Sequence, residues 1–328
     1  MTSQHQFENH PTMQLALAHK ATLGECLTWH APTGRWWWTD IPSSHLYAWT
    51  PDLQAPIRFT APDRVGSFAL CKSGRLLLGL SKQLALADVP ELLETSGKPL
   101  PVQFLADVDA AEARTRVNDG RTDRSGYFVF GTMNEGQDKR PIGSFYQFSL
   151  QHGLRRLALP AVSIANSICF APDGKTMYFA DSMSQNIMQC DYDAASAQVA
   201  NVRIFTTVKL GSPDGSVIDS NGCLWNAQWG AGQVVQYAAD GEELRTVTLA
   251  AKNPTCPAFG GAHFNQLLVT SARQGMSSGE LKRVPAAGGL FGLTVAQGTG
   301  LADALFDDGP CQNSTIKTHG DTNEKKYS

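Results

Sequence analysis

The sequence predicts an all-β protein, a six-bladed β-propeller with a metal site on its central axis. The first observation is an internal repeat of about 45 residues, a length typical of a propeller blade. The second is that apolar and polar residues alternate within the repeat, as half-buried strands require. The third is composition: the 328 residues are only 17% charged and include 30 glycines, which favours a turn-rich β protein over a helical bundle.

Each repeat begins with a polar turn that contains glycine and continues with a short apolar strand. Examples are PTG followed by RWWWTD, KSG followed by RLLLGL, and RSG followed by YFVFGT. Glycine and small polar residues favour tight turns between antiparallel strands. A degenerate last copy, HFN followed by QLLVTSA, brings the number of units to six. The turn glycines of the other units recur at intervals of 40 to 52 residues and are Gly34, Gly74, Gly126, Gly174 and Gly222.

Several repeats continue into a third strand, with the sequences HLYAWTPD, GSFYQFSL, QNIMQCDYD and GQVVQYAADG. Units of three or four antiparallel strands are typical of propeller blades, so residues 13–302 are predicted to form one propeller domain. Closing the ring requires the two termini to share a blade, and the apolar segment from Met13 to Leu17 is expected to supply the missing strand. Residues 1–12 are expected to be flexible, and residues 303–328 to form a polar, mobile tail.

Charge and composition exclude several classes of partner. Lys and Arg number 27 against 30 Asp and Glu, giving a net charge of −3 without a basic run, which argues against nucleic acid or an anionic membrane. The sequence shows neither a leader peptide nor a membrane span, so we expect a cytoplasmic protein. A small molecule is therefore the expected partner, and a monomer or weak homo-oligomer the expected assembly.

Four oxygen-bearing side chains occupy one phase of the repeat. Asn118, Asn166 and Asp214 each lie eight residues before a turn glycine, and Glu25 lies nine before Gly34. Equivalent positions of different blades lie on one ring around the axis, where such oxygens can bind a divalent cation, Ca²⁺ first, with Mg²⁺, Mn²⁺, Zn²⁺ and Fe²⁺ as alternatives. The competing interpretation is that each residue only bonds to turn backbone. The shared phase of four such residues favours a bound cation over bonds to turn backbone, because a cation would offset the free-energy cost of burying two carboxylates.

Five segments resemble the SMP-30/gluconolactonase/regucalcin family. They are LGECLTWHAPTGRWWWTDI, TRVNDGRTDRSGYFVFGTMNE, IANSICFAPDGKTMYFADS, SPDGSVIDSNGCLWNAQWGAGQV and FGGAHFNQLLVTSAR. The resemblance implies a six-bladed propeller that binds one divalent metal on its axis and hydrolyses sugar lactones. Matched to the GE, AN and PDG motifs, Glu25, Asn166 and Asp214 would be the metal ligands.

The same resemblance implies which residues contact substrate. Arg116 and Asn118 of RVNDG resemble a substrate-binding pair, and Glu135 after GTM resembles an acidic substrate contact. Arg116 and Asn118 are two residues apart, so in an extended strand both side chains point to the same side. A guanidinium beside an amide suits the hydroxyls of a polyol lactone.

The sequence therefore predicts a metal-dependent lactonase, a hydrolase of carboxylic ester bonds that opens an aldonolactone to the aldonic acid. The metal is expected to act as a Lewis acid and to activate water, with Asp214 as the catalytic general base. One alternative is a phosphotriesterase-like calcium hydrolase, in which Asn118 would ligate the metal directly. The other is a non-catalytic calcium-binding propeller.

Overall fold

The computed structural model describes residues 11–90 and 98–309, which form six antiparallel sheets of four strands each. The predicted all-β, six-bladed propeller is confirmed. Blades I to VI are named in the chain order of their innermost strands. In the part of the chain that the structure describes, no helix is long and apolar enough to cross a bilayer.

Each blade runs from an innermost strand at the axis to an outermost strand at the rim. Blade I contains β2 (Gly24–His30), β3 (Arg35–Asp40), β4 (His45–Trp49) and β5 (Ile57–Thr60). Blade II contains β6 (Val65–Leu70), β7 (Leu76–Leu80), β8 (Gln83–Ala87) and β9 (Val102–Asp107). Blade III contains β10 (Thr115–Thr122), β11 (Phe128–Asn134), β12 (Phe145–Ser149) and β13 (Gly153–Arg156). Blade IV contains β14 (Ala165–Phe170), β15 (Thr176–Asp181), β16 (Asn186–Asp193) and β17 (Gln198–Thr207).

The last two blades complete the ring. Blade V contains β18 (Ser212–Ile218), β19 (Leu224–Trp229), β20 (Gln233–Tyr237) and β21 (Glu243–Thr248). Blade VI contains β22 (Asn253–Gly260), β23 (Gln266–Ala272), β24 (Leu290–Thr294) and, from the N-terminal end, β1 (Gln14–Leu17). A short helix, α1 (Ser278–Arg283), connects β23 to β24, and single 3₁₀ turns occupy Ala31–Thr33 and Ile41–Ser43.

The ring closes as the sequence predicts. Strand β1 pairs antiparallel with β24, with Gln14 opposite Gly292 and Leu15 opposite Phe291. Met13 is buried in the apolar layer between blades V and VI. The two ends of the propeller sequence therefore share blade VI, and hydrogen bonds between strands fasten the ring.

The apolar core is a set of layers between neighbouring blades. Alternation sends the side chains of each strand to both faces of its sheet, so every blade packs against two neighbours. Trp37 of blade I packs with Phe68 of blade II, for example, while Trp36 and Trp38 face Leu268 of blade VI. The five turn glycines identified in the sequence all have positive φ, between 62° and 89°, which is the left-handed conformation that favours glycine.

At one end of the axis the chain after β24 forms a strap, defined here as residues 299–308, across the bottom of the propeller. Asp303 pairs with Arg121 of blade III at 2.6 Å and accepts the Thr28 hydroxyl of blade I at 3.1 Å. Phe306 is fully buried and exchanges backbone hydrogen bonds with Leu70 and Lys72 of blade II. The strap thus contacts several blades and covers this end of the axis.

Both predicted terminal boundaries differ from the structure. The sequence predicts that residues 303–308 belong to a mobile tail. In the structure, the buried side chain of Phe306 and the ion pair between Asp303 and Arg121 fix them to the propeller. Likewise the expected flexible segment 1–12 includes Pro11 and Thr12, which pair with Thr248 on the outermost strand of blade V. The remainder of the two predicted tails, residues 1–10 and 310–328, lies outside the described residues.

Candidate active site

The innermost strand of every blade carries a β-bulge near its beginning, where one extra residue interrupts the pairing with the second strand. A bulge bends its strand and redirects the side chains next to it. Because the innermost strands surround the axis, their bulges form a ring at the end of the axis opposite the strap. The four candidate residues from the sequence all lie at these bulges.

The four candidate residues do not occupy strictly equivalent positions in their blades, although their spacing in the sequence indicates that they do. Glu25 and Asn166 are the last paired residues before the bulges of blades I and IV. Asn118 and Asp214 are the first unpaired residues within the bulges of blades III and V. The difference arises because β14 continues for only two paired residues after its bulge, Cys169 and Phe170, whereas β10 continues for three, from Gly120 to Thr122, which shifts the count from the glycine by one.

The four side chains nevertheless converge on one cavity of about 240 Å³. Arg116 also lines it, whereas Glu135 does not. Sequence reasoning missed most of the rest of the wall, because these residues lie at or just beyond the ends of the second strands, or at or just before the beginnings of the innermost strands. The other lining residues are Leu23, Met133, Ile164, Ser182, Met183, Ser212, Trp229 and Gln274.

Buried acidic groups dominate the electrostatics of this cavity. Burial raises the pKa of Glu25 well above its ordinary value, and the negative charges of Asp214 and Asp119 raise it further. Burial and the charge of Asp119 likewise raise the pKa of Asp214. Without a counter-ion, these carboxylates repel one another, so the site favours a cation.

Asp119 is a functional candidate that the sequence analysis overlooked. Burial raises its pKa, while the Ile168 N–H of blade IV donates to its Oδ2 at 2.8 Å and the Gly120 N–H donates to its Oδ1 at 2.9 Å. Its position beside Asn118 in RVNDG was the available signal. These backbone bonds place Asp119 as a fixed negative charge near the ligand candidates.

The amide orientation of Asn118 follows from its partners. Arg116 Nη1 can only donate, and it lies 2.9 Å from Asn118 Oδ1. The carbonyl oxygen of Ala165 can only accept, and it lies 2.9 Å from Asn118 Nδ2. The oxygen of Asn118 is therefore turned toward Arg116.

Glu135 contacts Arg116 from outside the cavity. Its carboxylate lies 3.4 Å from Arg116 Nε and accepts two hydrogen bonds from Arg64, at 2.6 and 2.9 Å. Burial lowers the pKa of Arg116 to about 10, and the charge of Glu135 opposes this effect, so Arg116 stays cationic at neutral pH. In the described residues, Arg116 Nη2 has no hydrogen-bond partner within the protein.

In blades I and IV, an aspartate at the end of the second strand accepts hydrogen bonds from the backbone just before Glu25 or Asn166. Asp40 accepts hydrogen bonds from the backbone N–H groups of residues 22 and 23, at 3.2 and 2.9 Å. Asp181 accepts them from residues 163 and 164, at 2.8 and 3.1 Å. Each Asp lies 15 residues after the ligand candidate of its own blade, a spacing that could have revealed the pair. The residue after each candidate, Cys26 or Ser167, has positive φ.

The donor set fits a divalent cation. Within residues 11–90 and 98–309, no three His, Cys, Asp or Glu side chains are arranged to hold a metal ion by themselves. A site here must therefore combine the carboxylates of Glu25 and Asp214 with amide oxygen, which hard cations such as Ca²⁺ accept.

Comparison with known proteins agrees with this fold and identifies a family. The model of the SMP-30/Gluconolactonase/LRE-like region matches residues 23–273. An L-arabinolactonase of Azospirillum brasilense is 41% identical over 307 residues, which cover 92% of this chain and 98% of that protein. A regucalcin of Oryctolagus cuniculus is 30% identical over 289 residues, or 86% of this chain and 94% of that protein.

Solved structures show the same architecture. A calcium-binding protein, regucalcin, of Agrobacterium tumefaciens superposes with a TM-score of 0.81 at 28% identity, covering 90% of this chain and 97% of that one. A luciferin-regenerating enzyme superposes with a TM-score of 0.82 at 24% identity, covering 90% and 99% of the two chains, which shows the shared fold. The resemblance identified in the sequence is confirmed, and the chain belongs to the SMP-30/gluconolactonase/LRE-like family.

Proposed function

We propose that this protein is a metal-dependent lactonase that hydrolyses an aldonolactone to the aldonic acid. The observation that carries the proposal is the convergence of two carboxylates, two amides and a buried guanidinium on one cavity, with Asp214 buried and Glu25 partly exposed. Lactonases among the relatives support the reaction class. L-Arabinonolactone is the first substrate to test, because the relative that is 41% identical is an L-arabinolactonase.

In this proposal Glu25, Asn166 and Asp214 hold one divalent metal ion, Ca²⁺ being the first candidate. When bound, such an ion polarises a carbonyl oxygen and lowers the pKa of water. The raised pKa values of Glu25 and Asp214 support this assignment, because a bound cation would offset both the burial and the repulsion that raise them. A calcium-binding relative supports the choice of ion.

Asp214 is proposed as the general base. Its backbone is fixed because the Ser167 hydroxyl donates to its carbonyl oxygen at 2.5 Å and Asn226 Nδ2 donates to the same atom at 3.1 Å. The carboxylate takes a proton from water as the water oxygen bonds to the lactone carbonyl carbon. It returns the proton to the ring oxygen as the carbon to ring-oxygen bond breaks, so that the product is a hydroxy acid.

Arg116 and Asn118 are proposed to bind the substrate. Nη2 of Arg116 is available to donate to a lactone or hydroxyl oxygen, while Nη1 and Nε are engaged within the protein. The predicted role of Glu135 becomes a positioning role, since its carboxylate holds Arg116 from behind instead of lining the cavity.

The orientation of Asn118 favours the lactonase over the phosphotriesterase-like alternative. That alternative requires the oxygen of Asn118 to ligate the metal, but this oxygen accepts a hydrogen bond from Arg116. A cationic guanidinium at the same atom competes with a metal ion for its lone pairs.

The function is tested with metal-stripped protein supplied separately with Ca²⁺, Mn²⁺, Mg²⁺, Zn²⁺ or Fe²⁺. A pH indicator follows acid release from a panel of aldonolactones, and an organophosphate ester serves as the competing substrate. We expect lactone turnover only with a metal present. Metal binding without turnover of any substrate would support the non-catalytic propeller. Hydrolysis of the organophosphate ester that is faster than hydrolysis of every lactone would support the phosphotriesterase-like alternative.

Asp214→Asn tests the base. We expect kcat to fall by roughly 10²- to 10⁴-fold, because the amide cannot accept the proton. Circular dichroism should show an unchanged fold. Asp240→Asn is the matched control, since Asp240 accepts a hydrogen bond from the Glu242 N–H in an exposed turn. Unchanged turnover in Asp214→Asn would remove Asp214 from the mechanism.

A further inference from the structure

Ser182 lies where blades IV and V meet at the cavity. It follows the last residue of β15, and its own N–H donates to the carbonyl oxygen of Ile164 at 3.1 Å. This backbone bond fixes the residue whatever its side chain is. The hydroxyl lines the cavity beside Asn166 and reaches across to blade V.

The direction of each hydrogen bond at this hydroxyl is determined by chemistry. The carbonyl oxygen of Pro213 can only accept, so the single hydroxyl proton of Ser182 points to it, at 2.8 Å. Only lone pairs then remain for Asn166, whose nearer side-chain atom, at 2.7 Å, must be the donor Nδ2. Pro213 directly precedes Asp214, so one hydroxyl connects the strands that carry two ligand candidates.

The opposite side of the Asn166 amide must therefore be its oxygen. Asn118 Nδ2 donates to Asn166 Oδ1 at 3.3 Å, which agrees with this orientation. If the amide rotated by half a turn, its NH₂ group would face the candidate metal position and repel a cation. An amide oxygen is a metal ligand only when the amide is held the right way round.

We propose that Ser182 is a positioning residue that holds the oxygen of Asn166 toward the metal. This inference rests on the proposed function, because it concerns the same metal site. It assigns a role to a residue outside the ligand set. The hydroxyl acts through Asn166 and does not itself ligate the metal.

Calcium affinity measured by titration calorimetry tests the inference. Ser182→Ala should raise the Kd for Ca²⁺ about tenfold, the effect of losing one hydrogen bond of about 1.4 kcal/mol. Ser182→Thr keeps the hydroxyl and should restore most of the affinity. Ser184→Ala is the matched control, because Ser184 lies in the same loop and its hydroxyl bonds to the backbone of residues 181 and 186. Its Kd should stay within about twofold of the wild type.

A second background separates orientation from general damage. In Asn166→Asp the side chain presents an oxygen whichever way it turns, so adding Ser182→Ala should change the Kd less than about twofold. An equal loss of affinity in both backgrounds would overturn the inference, as would a Ser182→Ala protein that binds Ca²⁺ like the wild type.

The metal-free protein supplies a readout that does not depend on the proposed function. Ser182→Ala should shift the side-chain NH₂ resonances of Asn166 in a ¹⁵N–¹H spectrum, because their acceptor is lost, whereas Ser184→Ala should leave them in place. Unshifted resonances would contradict the inference. If these resonances shift as expected but the wild type binds no divalent ion, the hydrogen bond is real, and both the metal role of Ser182 and the proposed function fail.

Discussion

At the scale of single residues, one feature of the cavity is a buried arginine, Arg116, in its wall. The Arg116 side chain is only 7% exposed, and a buried charge is costly unless it is paired. Its partner Glu135 is 37% exposed and is itself held by Arg64. The pair therefore leaves the guanidinium charged and oriented while a single nitrogen remains for substrate.

Glu135→Gln tests this orientation. We expect KM for the lactone to rise roughly tenfold, because a charge-assisted hydrogen bond to Arg116 is lost. The Kd for Ca²⁺ should change little, since Glu135 is outside the ligand set. Glu112→Gln is the matched control: Glu112 is also 37% exposed and pairs with Arg114, away from the cavity. An unchanged KM in Glu135→Gln would contradict the positioning role.

At the scale of elements, blades I and IV position their ligand candidates with the same arrangement of backbone and carboxylate. In each, a carboxylate at the end of the second strand accepts the N–H groups that lead into the innermost strand, and a residue with positive φ follows the candidate. Backbone N–H groups at this depth need acceptors. The bulge and the carboxylate together aim the candidate side chain into the cavity.

Asp40→Ala and Asp181→Ala should each lower the free energy of unfolding by about 1–3 kcal/mol, because buried N–H groups lose their acceptor. Both should also weaken Ca²⁺ binding, since the strands that carry Glu25 and Asn166 lose their support. Asp173→Ala, which removes the acceptor of one exposed turn N–H, should change stability by less than about 0.5 kcal/mol. Urea unfolding and calorimetry measure the two effects. If all three variants behave alike, the two carboxylates have no special role.

At the scale of the whole molecule, the propeller is fastened at two places. Strand β1 closes the ring at the rim, and the strap covers the axis at the end opposite the candidate site. Arg121 inside the axis takes its counter-charge from Asp303 of the strap, and its Nη2 donates to Ser216 of blade V. Among the described residues, the strap therefore covers the end of the axis that lies opposite the candidate site.

Phe306→Ala tests whether the strap is part of the folded unit. Phe306 is 0% exposed, so truncation should cost about 3–5 kcal/mol and lower the midpoint of thermal unfolding by several degrees. Phe104→Ala is the matched control, since Phe104 is 55% exposed on an outer strand. Equal midpoints for the two variants would show that the strap contributes nothing to stability.

The sequence alone determined the number of blades, the closure from Met13 to Leu17 and five of the residues that line the cavity. Turn glycines and alternating strands are local features, so a single chain displays them without knowledge of its fold. A propeller converts a repeat along the chain into a ring around an axis. For this reason one cavity is lined by all four residues of the repeat phase, Glu25, Asn118, Asn166 and Asp214.

Only the tertiary structure decided how those residues are presented. The bulges, the paired roles of Asp40 and Asp181, and the placement of Glu135 behind Arg116 depend on contacts between different strands and blades. The sequence misplaces the strap in a mobile tail for the same reason, because residues 303–308 acquire their partners only from distant blades. Asp303 pairs with Arg121, Asp307 with Lys72 and Asp308 with Arg75, while Phe306 is buried. A repeat fixes where side chains lie along the chain, whereas hydrogen bonds between distant segments fix which way they point.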